Sequence, residues 1–383
     1  MRYRRRTISS ATSISCGSMI TTQRSTTRMK PVRWIFFRFL VFLPSLLSGM
    51  VLLESGCAET LSAVEDNSTF LFYLENDTFA GMDKHYTNAV KLSWISKDLK
   101  AYNQNSTLPE WARWLAETTP GVRGEGFLHN FAFSLGQNIY TPRDLSVEAL
   151  IEDDRPYAGW TYFAAALHSK NFNLLNTLEA SIGILGPSSL AEQSQKLFHK
   201  WLDDEEPKGW ENQLEDELGL MVTWQRFWRI LRSSFGSRFG CEIIPHAGIS
   251  LGNVLTYANM GGEARIGYNL PVDFGSSLIR PGDGTSPPVG MRDPRISPKS
   301  HFGLTLFMGV DGRAIARNSF LDGNTWRDSH SVDKKNFVAD ISFGMSVVYR
   351  TVKVTYTHVY RTEEFIGQDD GQVFGSLMVA VTF

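Results

Sequence analysis

Gln195 and His199 stand four residues apart, the spacing that places two side chains on one face of a helix. Histidine titrates near neutral pH and is the usual side chain for moving a proton there. An acidic run, Asp203-Asp204-Glu205-Glu206, follows directly. Far upstream, Glu75-Asn76-Asp77-Thr78 ends one alternating apolar segment and Asp83-Lys84-His85-Tyr86-Thr87-Asn88 opens the next. A hairpin between them would bring Asn76, Asp77 and Thr87 to one rim. Carboxylates, amides and hydroxyls are hard oxygen donors, a set that suits calcium rather than zinc. Spacing alone leaves a plain reading open for each group. Asn-Asp-Thr is ordinary turn chemistry, and a histidine on a helix is more often a surface residue than a catalyst.

What positions these groups is a pattern with a period of two. Phe302, Leu304, Leu306, Met308 and Val310 alternate with His301, Gly303, Thr305, Phe307 and Gly309. Phe337 to Arg350, Thr351 to Thr357 and Arg238 to Ile249 repeat the pattern, one face apolar and the other polar or glycine-rich. Strands of about ten residues with one apolar and one polar face are the mark of a transmembrane β-barrel; a soluble sandwich or lipocalin-like barrel alternates as well. The last strand, with Leu377, Val379, Val381 and a terminal Phe383, is similar to the signal read by the outer-membrane barrel assembly machinery. Aromatic residues at strand ends (Trp94, Trp160, Tyr268, Tyr349, Tyr360) are expected in the interfacial girdles.

Candidate strands lie near 69–77, 86–97, 127–139, 157–169, 174–185, 219–230, 239–250, 254–268, 301–312, 336–349, 351–361 and 372–383. The expected fold is therefore all-β, a 12-stranded antiparallel transmembrane β-barrel with a short helical insertion at one rim. That insertion spans about 187–218: a helix near 190–205, opened by a capping box of Ser189 with Glu192, then a second helix from Trp210 to Leu218 stopped by Gly219. The proline-rich stretch 270–299 is expected to be irregular.

Composition bounds the alternatives. The chain has 383 residues, 42% hydrophobic and 20% charged, with a net charge of −2, too apolar for disorder and too polar for a bundle of membrane helices. Residues 1–58 hold nine basic residues and one acid, leaving 29 basic and 39 acidic residues, a charge of −10, in the remainder. An acidic body argues against nucleic-acid binding. The apolar run Trp34 to Leu53 follows a basic start and precedes Ser55-Gly56-Cys57-Ala58, the layout of a signal peptide, with Met29 the expected initiator and 59–383 the mature barrel. Lipidation at Cys57 and a membrane anchor are the other readings of this segment. Cys241 would then stand alone in the mature chain, which excludes a disulfide.

Taken together, the ordered motifs carry a resemblance. Glu75-Asn76-Asp77, Asp83 to Asn88, Gly136-Gln137-Asn138-Ile139-Tyr140-Thr141-Pro142, Asp153 to Gly159, Ile184 to Pro187 and Gln195 to His199 make residues 70 to 383 similar to the outer-membrane lipid A 3′-O-deacylase family. The resemblance implies a calcium-dependent ester hydrolase that removes the 3′-linked acyl or acyloxyacyl group from lipid A of lipopolysaccharide, at a site between the barrel wall and a helical loop. Residue by residue, His199 matches the catalytic histidine and Gln195 its glutamine. Asn76 and Thr87 match polar site residues, and Asp77 and Glu205 are the implied metal ligands. Where the family pattern carries a lysine after Tyr-Thr-Pro, this chain has Arg143, whose guanidinium can take the same charge role as a fork rather than a point.

The chemistry implied is water activated by His199, with a calcium-stabilised oxyanion, so no serine nucleophile and no nucleophile elbow are expected. The helix's Leu197, Phe198, Trp201 and Leu202 either hold acyl chains or pack on the wall. Asp154-Arg155 reads as a loop or lumen anchor. An outer-membrane phospholipase and a non-catalytic structural or pore-forming barrel are the alternative functions.

Overall fold

The computed structural model describes residues 66–77, 86–102, 110, 113–114, 126–202, 206–236, 238–282, 287–290, 292–297 and 301–383. The expected signal segment 1–58 lies outside them. Thirteen strand segments form one antiparallel sheet: β1 (Thr69–Asn76), β2 (Tyr86–Ile95), β3 (Leu128–Tyr140), β4 (Ala158–Lys170), β5 (Leu174–Leu185), β6 (Glu217–Trp228), β7 (Leu231–Phe235), β8 (Phe239–Gly252), β9 (Leu255–Tyr268), β10 (Phe302–Asn318), β11 (Phe337–Tyr349), β12 (Val352–Arg361) and β13 (Gln372–Thr382). Apart from β6 and β7, neighbours in sequence pair; β1 also pairs with β13, and β6 and β7 both pair with β8, so the sheet closes.

β6 and β7 are two halves of one wall strand. Phe227 pairs with His246 and Leu231 with Ile243, so three residues face two across a bulge. Pro245, which has no N–H to give the ladder, lies opposite it. Counted this way the barrel has the twelve strands expected, and closure removes every sheet edge.

Alternation assigns the faces. Along β10, Phe302, Leu304, Leu306, Met308 and Val310 are exposed while Thr305, Phe307 and Asp311 are buried; apolar side chains point outward and the polar set points into the lumen, as lipid requires. Among the described residues no helix is long and apolar enough to cross a membrane; the strands do the crossing. Trp160 departs from its expected place in a girdle. It is 2% exposed, stacked on Tyr162 with ring centroids 4.2 Å apart inside the barrel, because Thr161 and not Trp160 falls on the outward register.

The lumen is filled. The proline-rich connection between β9 and β10 is irregular, as its composition implies, and it folds into the barrel. Ile279 N–H donates to Glu75 Oε1 at 2.7 Å and Gly282 N–H to Glu179 Oε1 at 3.0 Å. Arg280 is paired with Asp311 and Asp340. Nearer the start of the same loop, the buried carboxylate of Asp273 meets Arg265 at 2.6 Å, Arg295 at 2.9 Å and Lys353 at 2.7 Å. Charges this far from water persist only when paired, and here strand and loop supply each other's partners. Burial alone would raise the Asp273 carboxyl, but Lys353, Arg265 and Arg295 outweigh it and hold the group well below the usual carboxylate range.

At one end of the barrel Ser68, just ahead of β1, and Phe383, just after β13, exchange two backbone hydrogen bonds of 2.8 and 2.9 Å. The helical insertion sits at the opposite rim. Helix α1 (Ala191–Leu202) falls within the expected 190–205 helix, of which 203–205 lie outside the described residues, and two expectations about the insertion fail. Ser189 lies in a 3-10 turn, Pro187–Ser189, and the next residue, Leu190, is left-handed at φ 59, so Ser189 is not the cap; its Oγ has no hydrogen-bond partner. The second helix does not form: only a 3-10 turn, Gly209–Asn212, is present. Gln213 bridges to Tyr157 in parallel register, Leu214 N–H bonds to Tyr157 O at 2.9 Å, and Glu217 already belongs to β6.

Candidate active site

At the rim carrying α1, the ends of β1, β2 and β3 lie side by side. Asn76 pairs with Asn88, and Asn88 with Ile139. Asn76 is 2% exposed, Asp77 0% and Asn88 6%. Both asparagines fall on the outward register, where bare strands would meet lipid, so something covers them. Between Tyr86↔Tyr140 and Asn88↔Ile139 the register shifts by one: Thr87 is the extra residue of a β-bulge, a device that re-aims side chains at functional rims. The Thr87 side chain lies outside the described residues, as does all of Glu205.

Helix α1 is held against the outer wall by a short set of contacts. Gln137 Nε2 and Thr161 Oγ1 both donate to Ser189 O at 2.7 Å. Gly159 makes the close approach possible: a Cβ there would lie 2.1 Å from Ala191 Cβ and 2.3 Å from Ser189 Oγ. Gly186, at φ 90, turns the chain where any side chain would meet the Glu215 backbone. Lys196 ties the helix to the last residue of the acidic run, at 2.9 Å from Glu206, and lies 3.1 Å from Glu192 within the helix. Its ammonium is held above its ordinary range by Glu206 first and Glu192 second, although so exposed a pair adds little stability.

Wall and helix leave between them an outward-opening groove of about 660 Å³, within the range of ligand pockets. Asn88, Val90, Leu92, Leu135, Gln137 and Ile139 form its floor, and Ser194, Leu197 and Phe198 its other side. Its lining is mostly apolar, with polar groups at the ends. Gln195 and His199 follow Ala191 at four-residue spacing along α1 and are 1% and 5% exposed; they are buried residues, not surface ones. Gln195 Oε1 accepts from Trp210 Nε1 at 2.8 Å. Asn88 lines this cleft on the barrel side, with Asn76 paired beside it in the sheet; Gln195 and His199 are buried on the helix that supplies Ser194, Leu197 and Phe198 to the other side. Asn88 Oδ1 is buried without a hydrogen-bond partner, an open oxygen acceptor that fits a hard-cation donor set. Among the described residues no cluster of three or more His, Cys, Asp or Glu side chains occurs.

Arg143 stands apart from this cleft in its bonding. Its guanidinium pairs with Asp369 of the β12–β13 connection and its N–H with Asp154 Oδ2 at 2.9 Å. Asp154 and Arg155 join the rim loops. Arg155, 1% exposed, meets Glu364 at 2.6 Å and lies over the Tyr140 and Phe365 rings, while His330 Nε2 bonds to Asp154 O at 2.8 Å. This motif is structural. The described histidines away from α1 lie on the wall or the rim, His246 against Asp311 and His129 against Ser169.

One segment does have the Gly-x-Ser-x-Gly spacing of a nucleophile elbow, Gly248-Ile249-Ser250-Leu251-Gly252, contrary to the expectation of none. It makes no elbow: all five residues lie within β8, and Ser250, fully buried, shares a 2.8 Å hydrogen bond with Thr223 Oγ1. Sequence reasoning passed over Asn88, Gly159 and Trp210 as site residues. The first two stand inside quoted motifs, and that was the available signal; Trp210 had none.

Residues 42–383 match the family model described as outer membrane protein LpxR. Among solved structures, LpxR from Salmonella typhimurium aligns with a TM-score of 0.64 at 16% identity, covering 82% of this chain and all of that one. The β-domain of the Bordetella autotransporter BrkA aligns at 0.41 and 6% identity, over 84% of this chain and all of that one. No curated protein matches the sequence.

Proposed function

Because the chain belongs to the LpxR family of outer-membrane proteins, we propose that it is an ester hydrolase of the outer membrane that removes the 3′-linked acyl or acyloxyacyl group from lipid A. The observation that carries this reading is the cleft itself. An apolar groove of about 660 Å³ opens sideways on the lipid-facing wall, at the rim opposite Phe383, with the buried amide Asn88 in its floor and the helix that carries the buried His199 as its other side. A water-soluble substrate needs no such opening; a lipid with its polar head at the rim and its chains along the wall does. The filled lumen weighs against a pore as the function.

Within this reading His199 takes a proton from the attacking water. Asn76, Thr87 and Gln195 orient water, carbonyl or base through hydrogen bonds. Leu197, Phe198 and the apolar floor exclude water from the ester and hold the chains. Asp77 and Glu205 would hold calcium, a fit supported by the hard oxygen donors gathered at the ends of β1 and β2. When bound, the ion supplies positive charge for the carbonyl oxygen. Arg143, whose partner at the rim is Asp369, would exchange that carboxylate for a headgroup phosphate. Phe383, 64% exposed at the last strand, remains available to the assembly machinery.

The test is mass spectrometry of lipid A and glycerophospholipids from cells carrying the wild-type chain, His199→Ala, or no protein, with and without a calcium chelator. Wild type should yield 3′-deacylated lipid A. His199→Ala should lower the rate by about 10²–10⁴-fold, the range of a general base, and chelation should do likewise. Fully 3′-acylated lipid A with released phospholipid acyl chains would replace this reading with the phospholipase one.

A further inference from the structure

We infer that Trp210 is a positioning residue that fixes which way the Gln195 amide faces, so that its N–H₂ and not its oxygen is offered to the ester. This rests on the deacylase reading above for the identity of the acceptor, but not for the orientation itself.

Trp210 lies in the 3-10 turn that follows the acidic run. It is 2% exposed, its ring 5.0 Å from that of Tyr157, and its Nε1–H donates to Gln195 Oε1 at 2.8 Å. Indole nitrogen can only donate. An amide turned the other way would set N–H against N–H, so Gln195 must give its oxygen to the indole. Its Nε2 is thereby directed elsewhere, and it is buried with no hydrogen-bond partner in a residue 1% exposed. A buried donor without an acceptor is destabilising and rarely kept. Ala191, Trp210, Tyr157 and Ile139 form one apolar cluster, and Ile139 also floors the groove. The amide, bonded to Trp210 of that cluster, therefore sits on the helix that also lines the groove through Ser194, Leu197 and Phe198, one helical turn from His199. An ester carbonyl oxygen, which only accepts and which gains charge as water adds, is the complement of a preset N–H donor at that place.

The full barrel in detergent micelles containing lipid A gives kcat and KM, and ¹⁵N-labelled indole gives the Trp210 N–H resonance without substrate. Trp210→Phe keeps a ring and removes the donor. It should lower kcat about tenfold with KM little changed, against the ~10²–10³ of losing an oxyanion donor outright, the loss expected of Gln195→Ala. The double variant should be no slower than Gln195→Ala. Gln195→Glu, whose carboxylate still accepts from the indole but has no N–H, should keep the Trp210 resonance and lose kcat. The inference is overturned if Trp210→Phe keeps the wild-type kcat, if the two losses multiply, if Gln195→Glu is fully active, or if Gln195→Ala leaves the indole resonance unmoved. The resonance separates the two failures: a wild type that shows the hydrogen-bonded indole but leaves lipid A intact sinks the deacylase reading and the ester as acceptor, while an unmoved resonance sinks the positioning role whatever is cleaved.

Discussion

Replacing Gly159 by alanine tests whether the seat of α1 sets the rate. The added Cβ would lie 2.1 Å from Ala191 Cβ and 2.3 Å from Ser189 Oγ, whereas carbon atoms pack at about 3.5–4.0 Å. The helix must therefore move off the wall by roughly 1.4–1.9 Å. Such a shift takes the two 2.7 Å bonds to Ser189 O beyond hydrogen-bond reach, a loss of about 1–3 kcal/mol for the pair. The barrel's own ladder is untouched, so the variant should keep the heat-modifiable gel mobility of a folded barrel. Chemistry is less forgiving, since about 1 Å of misplacement can cost on the order of 10²-fold in rate. Lipid A deacylation followed by mass spectrometry should show that fall in kcat. Adding Ser189→Gly and Ala191→Gly empties the space again and should return much of it. A Gly159→Ala chain with the wild-type rate would refute the claim that wall and helix form one site through this contact.

The rim and the lumen make separate predictions. Arg155→Leu leaves the buried Glu364 with only the more distant Arg361, at 3.6 Å, and should cost up to about 3–5 kcal/mol, read as a lowered unfolding midpoint. Adding Glu364→Gln should recover most of it, and equal midpoints for single and double variants would show that the pair is not what joins the loops. The depressed Asp273 carboxyl contributes stability that is fully present above its unfolded pKa of about 4 and is lost as pH falls through its lower folded value. The unfolding midpoint should therefore hold from neutrality to about pH 4 and drop below it, and an identical acid limb in Asp273→Asn would remove Asp273 as the cause.

Much of the wall is legible in the sequence because period-two alternation is a local signal. Phe302 to Val310 announces both its strand and its lipid face without reference to any other residue. The extent of β10 was not legible: it runs to Asn318 past Arg313 and Arg317, whose charges read as a loop until Asp340 and the rim carbonyls are known. The same holds for residues 270–297. Proline breaks the pattern, and only the distant partners Glu75, Glu179, Asp340 and Lys353 place them inside the barrel. Trp210, Leu214 and Leu218 have helical spacing and still form no helix, because Trp210 docks on Tyr157 and Leu218 turns out to the wall. For the site, the helix-face spacing of Gln195 and His199 and the hairpin placement of Asn76 and Asp77 both appear in the fold. Gly159 as the seat of α1 could not be read, since it depends on contact between two elements 30 residues apart.

That the cleft opens on the lipid-facing wall rather than into the filled lumen changes what concentration means for a lipid ligand of this protein. A lipid ligand of the proposed kind would be met by lateral diffusion within one leaflet, so occupancy would follow the mole fraction of that lipid around the barrel and not the amount per volume of suspension. Diluting a micelle or bilayer with inert amphiphile at constant total ligand would slow turnover as effectively as a competitive inhibitor. Tightly packed neighbouring lipids would do the same by occupying the approach to Leu197 and Phe198. An apparent KM quoted per litre would then describe the host membrane more than the groove.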